Sequence, residues 1–108
     1  TPPHFLATKF EAFRGRGNDD LLTSHDIEDI MNLVDGREEL VGEVSRSEAE
    51  LKQYIAAQVS ALLAHGDSLY LLQDVSRGDP DREEILRQRL DALANLATDI
   101  SDGEITTC

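Results

Sequence analysis

The sequence predicts an all-α domain, a small bundle of about four to six helices with no sheet. Ala and Leu supply much of its apolar content, and no alternating run of β-branched or aromatic residues indicates a strand. Glycines and helix-capping residues separate the apolar segments. The clearest segment carries an apolar residue every three or four positions, which is the spacing of one helix face, at Leu51, Ile55, Val59 and Leu62.

The length of the chain predicts one domain. A chain of 108 residues can build one helical core but not two. We expect a single helical domain over 1–97 and a frayed polar tail over 98–108. The chain does not begin with Met, and its first residues resemble the start of a helix in mid-protein. We therefore expect a C-terminal fragment of a longer, two-part protein.

Two helices are predicted in the first third of the chain. Thr1 is a competent N-cap with prolines following it in the first turn, and Gly15 or Gly17 suits the end of this first helix. Residues 15–23 then form a turn-rich connector. Ser24 is predicted to cap the second helix, which Gly36 ends.

Four further segments are predicted to be helical. A short helix spans 37–44, and the capping-box pattern of residues 47–50 opens a longer helix over about 48–65. Residues 67–74 add a short turn of helix. Asp79 and Pro80 start the final helix, which runs to about Ala97.

Charge and cysteine content narrow the class of protein. The chain carries 22 acidic and 10 basic residues, a formal net charge of −12, which argues against non-specific binding to nucleic acid or to an anionic membrane. Cys108 is the only cysteine, so no disulfide forms within the chain and no thiol-based metal site is expected. With neither a membrane span nor a signal peptide in the sequence, we predict a cytoplasmic protein.

Lys9 is the residue that does not fit its surroundings. On a helical wheel it lies in the middle of an apolar face, beside Phe5, Leu6 and Phe13. A buried ammonium without a partner loses several kcal/mol of hydration, so an acid is expected nearby. Asp26 lies on the shoulder of the apolar face of the second helix and is the predicted partner.

Two interpretations of this pair remain open. The first is a structural ion pair, or a lysine whose ammonium reaches the rim of the core. The second is a site in which Lys9 binds a phosphate or stabilises leaving charge, while Asp26 or Asp29 orients it. Asp29 and His25 are predicted to point further out than Asp26.

Other patterns carry less information. The Gly-Arg-Gly segment at 15–17 is a helix stop with exposed arginines rather than a nucleic-acid loop, and it lacks the spacing of a phosphate-binding loop. The three histidines are too far apart in sequence to favour zinc. The His25-Asp26 pair superficially resembles that of metal-dependent phosphohydrolases, but no other histidine completes the pattern.

Two segments, PHFLATKFEAFRGRG at 3–17 and SHDIEDIMNLVDGREELVGEV at 24–44, together resemble a known family. They look like the helical region that follows the catalytic sheet in bacterial nucleotidyltransferase-like proteins related to AbiEii-type abortive-infection toxins. Family members show a Lys, an Ala and an Arg on one helix, then an acid-containing helix resembling [RH]D-x-x-D. The matching residues in this sequence are Lys9, Ala12, Arg14, His25, Asp26 and Asp29.

The resemblance, which covers about residues 2–44, implies a site shared with an N-terminal nucleotidyltransferase domain of the same parent. That domain would hold Gly-Ser and Asp-x-Asp motifs for a nucleoside triphosphate and Mg²⁺. Lys9, with Arg14, would contact the nucleotide, while Asp26 and Asp29 complete the catalytic site. The acceptor is unspecified, and an antitoxin-like partner is a further expectation.

One departure from the family limits what this chain can do. It contains no Gly-Ser followed by Asp-x-Asp, so the fragment alone is expected to be inactive and to bind no cofactor. The alternative function is a non-catalytic helical module for protein–protein interaction.

Overall fold

The computed structural model describes residues 1–15, 22 and 24–106, with side chains described as far as Leu96. These residues form six helices and no strand, which confirms the predicted all-α fold. Most of the predicted connector 15–23 lies outside the described residues. The helices are α1 (Pro2–Gly15), α2 (His25–Gly36), α3 (Leu40–Ser45), α4 (Ala49–Ala64), α5 (Ser68–Ser76) and α6 (Pro80–Thr106).

The core forms where α4 packs along α6, with α1 lying across α2 and α4. The predicted stripe of α4 supplies part of it, since Ile55, Val59 and Leu62 are buried and Leu51 packs beside them. Side chains that are fully buried include Leu6, Ile27, Ile30, Met31, Ile55, Leu86, Leu90 and Leu93.

Over the part of the chain that the structure describes, no helix is both long and apolar enough to cross a bilayer.

The starts of α1 and α2 follow from their capping residues, as predicted. The Thr1 Oγ1 accepts a hydrogen bond from the backbone N–H of His4 at 3.4 Å. The Ser24 Oγ accepts one from the backbone N–H of Ile27 at 3.2 Å. Each hydroxyl satisfies a donor that the first helical turn leaves without a partner.

Removing the Ser24 cap is expected to destabilise the fold measurably. Ser24→Ala should lower the free energy of unfolding by about 1 kcal/mol, because the N–H of Ile27 loses its acceptor. Ser60→Ala is the matched control: Ser60 is exposed in the interior of α4, where alanine is the better helix former. Urea denaturation followed by circular dichroism measures both, and equal losses would contradict the role of the cap.

The predicted capping box at residues 47–50 is wrong. The N-cap of α4 is Glu48, which makes no side-chain capping hydrogen bond within the described part of the chain. The Ser47 hydroxyl instead donates to the carbonyl of Glu43 at 2.9 Å, so it satisfies the end of α3 rather than the start of α4. The predicted third helix also begins too early, because Arg37 is extended and α3 starts at Leu40.

The last two helices are longer than predicted. In place of a short turn within 67–74, α5 is a nine-residue helix whose Leu71, Leu72 and Ser76 are buried. It ends where Arg77 adopts the left-handed conformation (φ 55°), followed by Gly78 (φ 79°). Helix α6 continues to Thr106, beyond the predicted end near residue 97. The domain limits and the frayed tail stay predictions.

Two arginines of α6 hold the C-terminal end of α2. The Arg82 guanidinium donates to both carboxylate oxygens of Asp35. The Arg89 Nη1 donates to the carbonyls of Val34 and Asp35, at 3.1 and 2.6 Å. Because the last carbonyls of a helix lack partners within the helix, these bonds fix α2, the helix that carries Asp26 and Asp29, against α6.

A bidentate ion pair connects the end of α2 to α3. The Arg37 Nε and Nη2 donate to the two Glu43 carboxylate oxygens, each at 2.7 Å. These hydrogen bonds hold the pKa of Glu43 below its ordinary value of 4.5 and raise the pKa of Arg37. A carboxyl whose pKa is lower in the folded than in the unfolded state stabilises the fold at pH values above its unfolded-state pKa. That contribution is lost as the pH falls through the folded-state pKa.

Arg37→Gln is expected to return the pKa of Glu43 toward 4.5, because the charge-assisted bonds that favour the carboxylate are removed. A carbon-detected NMR titration of the Glu43 carboxyl between pH 2 and 7 measures this shift. Identical titration curves in the two proteins would contradict the ion pair.

Candidate functional site

The packing of α1 on α2 brings Lys9 to two carboxylates. The Lys9 Nζ lies 3.8 Å from the Asp26 Oδ1 and 2.8 Å from the Asp29 Oδ2. The predicted juxtaposition of Lys9 and Asp26 is confirmed. We call these three residues the Lys9 cluster.

Asp29 points further out than Asp26, as predicted, since its side chain is 43% exposed and that of Asp26 is 10% exposed, but Asp29 is the nearer of the two acids to Lys9. Asp26 and Asp29 are three residues apart in α2 and share one side of it. The four-carbon side chain of Lys9 is long enough for its ammonium to lie along that side. The ammonium therefore contacts both acids, the more exposed one at hydrogen-bond distance.

Lys9 occupies the shoulder of the apolar face of α1 and not its middle. Its side chain is 26% exposed, whereas Leu6, Ala7 and Phe10 are buried. The wheel misplaced the centre of the face because it weighted Phe5 and Phe13 equally with the buried residues. Phe13 is only partly buried, and Phe5 is 43% exposed.

The ring of Phe5 is a neighbour that sequence reasoning missed. The Lys9 Nζ lies 5.5 Å from the centroid of this ring, within the range of a cation–π contact. The spacing of four residues on one helix was the available signal. The Lys9 cluster therefore has an aromatic, solvent-facing edge on α1 and an acidic edge on α2.

Asp26 is the buried member of the Lys9 cluster. Only 7% of the residue is exposed, and it lies in the first turn of α2, where the helix dipole favours a negative charge. With one ammonium and two carboxylates, the formal charge of the Lys9 cluster is −1. A phosphate brought to it therefore needs further positive charge from outside the cluster.

The remaining predicted site residues lie apart from the Lys9 cluster. Arg14 lines a separate groove with Phe10, Phe13 and Leu62. Within the described residues it makes no ion pair or hydrogen bond, so no described contact joins it to Lys9. His25 is exposed, and its Nδ1 lies 4.0 Å from the Glu28 Oε1.

The described residues do not assemble a metal centre. Among them, no group of three or more His, Cys, Asp or Glu side chains could hold a metal ion. The chain does have one Asp-x-Asp sequence, Asp79-Pro80-Asp81. Its first carboxylate is occupied at the start of α6, where the Asp79 Oδ1 accepts the N–H of Asp81 at 3.0 Å. A Mg²⁺ ion would thus need carboxylates from outside the described residues.

Comparison of the chain with protein-family models, with curated proteins and with solved structures finds no match.

Proposed function

We propose that this chain is the helical C-terminal part of a nucleotidyltransferase-like protein, and that Lys9, Asp26 and Asp29 contribute to a nucleotide and Mg²⁺ site completed by an N-terminal domain. One observation carries the proposal. Among the residues matched to the family pattern, Lys9 has its ammonium within 3.8 Å of the carboxylates of both Asp26 and Asp29, which lie 17 and 20 positions later in sequence. The resemblance alone did not require that contact.

The chemistry of nucleotidyl transfer suits a lysine in this position. An acceptor oxygen attacks the α-phosphorus of a nucleoside triphosphate, a new P–O bond forms, and the bond to pyrophosphate breaks. Negative charge develops on the departing pyrophosphate, and a fixed ammonium stabilises it. Asp26 and Asp29 would act as positioning residues that hold the Lys9 ammonium in place. Bound Mg²⁺ would supply further charge neutralisation.

The exposure of Lys9 supports a role at a boundary between two parts of a protein. Its ammonium is at the edge of the core, where a ligand can reach it, and the half-exposed Phe5 ring lies beside it. Aromatic residues are enriched at protein interfaces. The proposed N-terminal domain would pack on this edge of α1.

The first test is the coding sequence upstream of Thr1. The proposal expects predicted strands that bear Gly-Ser followed by Asp-x-Asp, and the absence of this motif would refute it. The second test is a transfer assay on the full-length protein with Mg²⁺ and each α-³²P-labelled nucleoside triphosphate. Label transferred to protein or RNA is the expected result, while a protein that folds and transfers no label from any nucleotide would contradict the proposal.

A second candidate is a non-catalytic helical interaction module. Leu69 and Tyr70, adjacent in α5, are 47% and 60% exposed, and exposed apolar side chains of this size occur at protein interfaces. An antitoxin-like partner would bind the surface of α5 that Leu69 and Tyr70 form. Under this alternative, Tyr70→Ser would weaken partner binding and Lys9→Ala would not.

A further inference from the structure

A groove between α1, α2 and α4 is not used by the proposed function. Its apolar lining comes from Phe10 and Phe13 of α1, Ile27 of α2, and Leu62 of α4. Phe10, Ile27 and Leu62 are buried core residues, so they form the floor of the groove, and Phe13 is its partly exposed apolar wall. We call it the α1–α4 groove.

Three polar side chains line the same groove: Arg14, Gln58 and His65. Arg14 is exposed, and its guanidinium makes no ion pair or hydrogen bond among the described residues. A guanidinium with no acidic partner in the described part of this chain, whose net charge is −12, is available to an external anion.

His65 adds a second donor. Its Nδ1 accepts a hydrogen bond from the backbone N–H of Asp67 at 3.0 Å. The ring proton of neutral His65 is therefore on Nε2, which is a donor. The Gln58 side-chain amide supplies further donors. The α1–α4 groove thus combines an apolar floor with donors and one full positive charge.

The size of the groove limits what it can hold. Its volume is about 230 Å³, and a buried apolar cavity of about 150 Å³ is enough for benzene. One six-membered ring, or a branched alkyl group of similar size, would occupy it together with one small polar substituent. The charge of Arg14 favours an anionic substituent. Two N–H groups of its planar guanidinium can donate to the two oxygens of a carboxylate.

We propose that the α1–α4 groove is a binding site for a small aromatic or branched aliphatic monocarboxylate, independent of the nucleotidyltransferase proposal. The apolar body of the ligand lies between Phe13 and Leu62. Its carboxylate accepts hydrogen bonds from Arg14.

The test is a titration of the 108-residue chain with sodium benzoate, followed by ¹H–¹⁵N NMR at constant ionic strength. Saturable shifts confined to residues lining the groove, with a dissociation constant on the order of 1 mM, are expected. Benzyl alcohol has the same ring but no charge, so its affinity should be about fivefold weaker. Equal affinities, or no saturable shifts with benzoate, would overturn the proposal.

Two variants and one control locate the site. Arg14→Gln should weaken benzoate binding about fivefold, and Ala61→Phe, at an exposed position that lines the groove, should block it by filling the space. Arg77→Gln is the matched control, because Arg77 is an exposed arginine that lines a different cavity. Binding lost in Arg77→Gln and kept in Arg14→Gln would refute the assignment. Groove shifts that depend on protein concentration without benzoate would show that a second copy fills the groove, and would also refute it.

Discussion

Replacing Lys9 with alanine is expected to lower nucleotide transfer by the full-length protein about a hundredfold or more. The loss of one preorganised charge-stabilising group at a developing oxyanion costs a factor of this order. The ammonium of Lys9 is the group that would face the departing pyrophosphate, and alanine offers no substitute. Initial rates at saturating nucleotide measure the effect.

The same substitution should change stability by only about 1 kcal/mol. The Lys9 side chain is partly exposed and its nearer partner, Asp29, is 43% exposed, so the Lys9–Asp29 pair resembles a surface pair in energy, and the buried Asp26 is the more distant partner at 3.8 Å. Lys52→Ala is the matched control: Lys52, on α4, makes one long hydrogen bond to the Ser45 carbonyl at 3.5 Å, and its removal should leave transfer unchanged. A large loss of stability in Lys9→Ala with transfer retained would make the Lys9 cluster a structural ion pair.

Leu90→Ala is expected to cause a large loss of stability, about 3 kcal/mol. Leu90 lies in the middle of α6 and is fully buried, as are Leu86 and Leu93 on the same helix. Helix α6 packs against α4 more extensively than any other pair of helices packs. Alanine would leave a cavity at this central contact, and the loss is a substantial fraction of the 5–15 kcal/mol that stabilises a typical domain.

Ile85→Ala is the control for this substitution. Ile85 is on the same helix but 46% exposed, so less apolar area returns to water and no cavity forms. We expect a loss below about 1 kcal/mol. Denaturant unfolding of the two variants measures the difference, provided that the dependence of the unfolding free energy on denaturant concentration is unchanged. Equal losses would contradict the packing of α6.

The fold was predictable because its signals are local. The hydroxyls of Thr1 and Ser24 precede two helices, and both accept the hydrogen bonds expected of them. The stripe Ile55, Val59 and Leu62 is buried as its spacing indicates. Caps and apolar periodicity act within a few residues, so the sequence alone carries them.

The errors arose where tertiary contacts decide the outcome. Ser47 has the sequence of a cap for α4 but bonds back to α3, a choice set by how the two helices meet. The contact between Lys9 and Asp29 depends on the crossing of α1 over α2, which a helical wheel does not contain. Arg89 donates to the end of α2, 54 residues away in sequence, and no sequence pattern predicts a contact over that separation.

The candidate site was predictable only in part. The sequence placed Lys9 opposite Asp26 because a lysine on an apolar face needs an acid. The chemical role of Lys9 depends on the groups that approach the exposed side of the Lys9 cluster. The residues of the cluster do not specify what those groups are. The nucleotide assignment therefore comes from the resemblance and stays a proposal.

The most direct test of the central proposal is a nucleotide titration of the full-length protein with ¹⁵N-labelled lysine side chains. If Lys9 contacts the triphosphate, its ammonium signal will shift and saturate with the bound nucleotide, while the signal of Lys52 stays in place. A nucleotide that binds the protein, shown by shifts in the N-terminal domain, without moving the Lys9 signal would contradict the assignment of Lys9 to the nucleotide site.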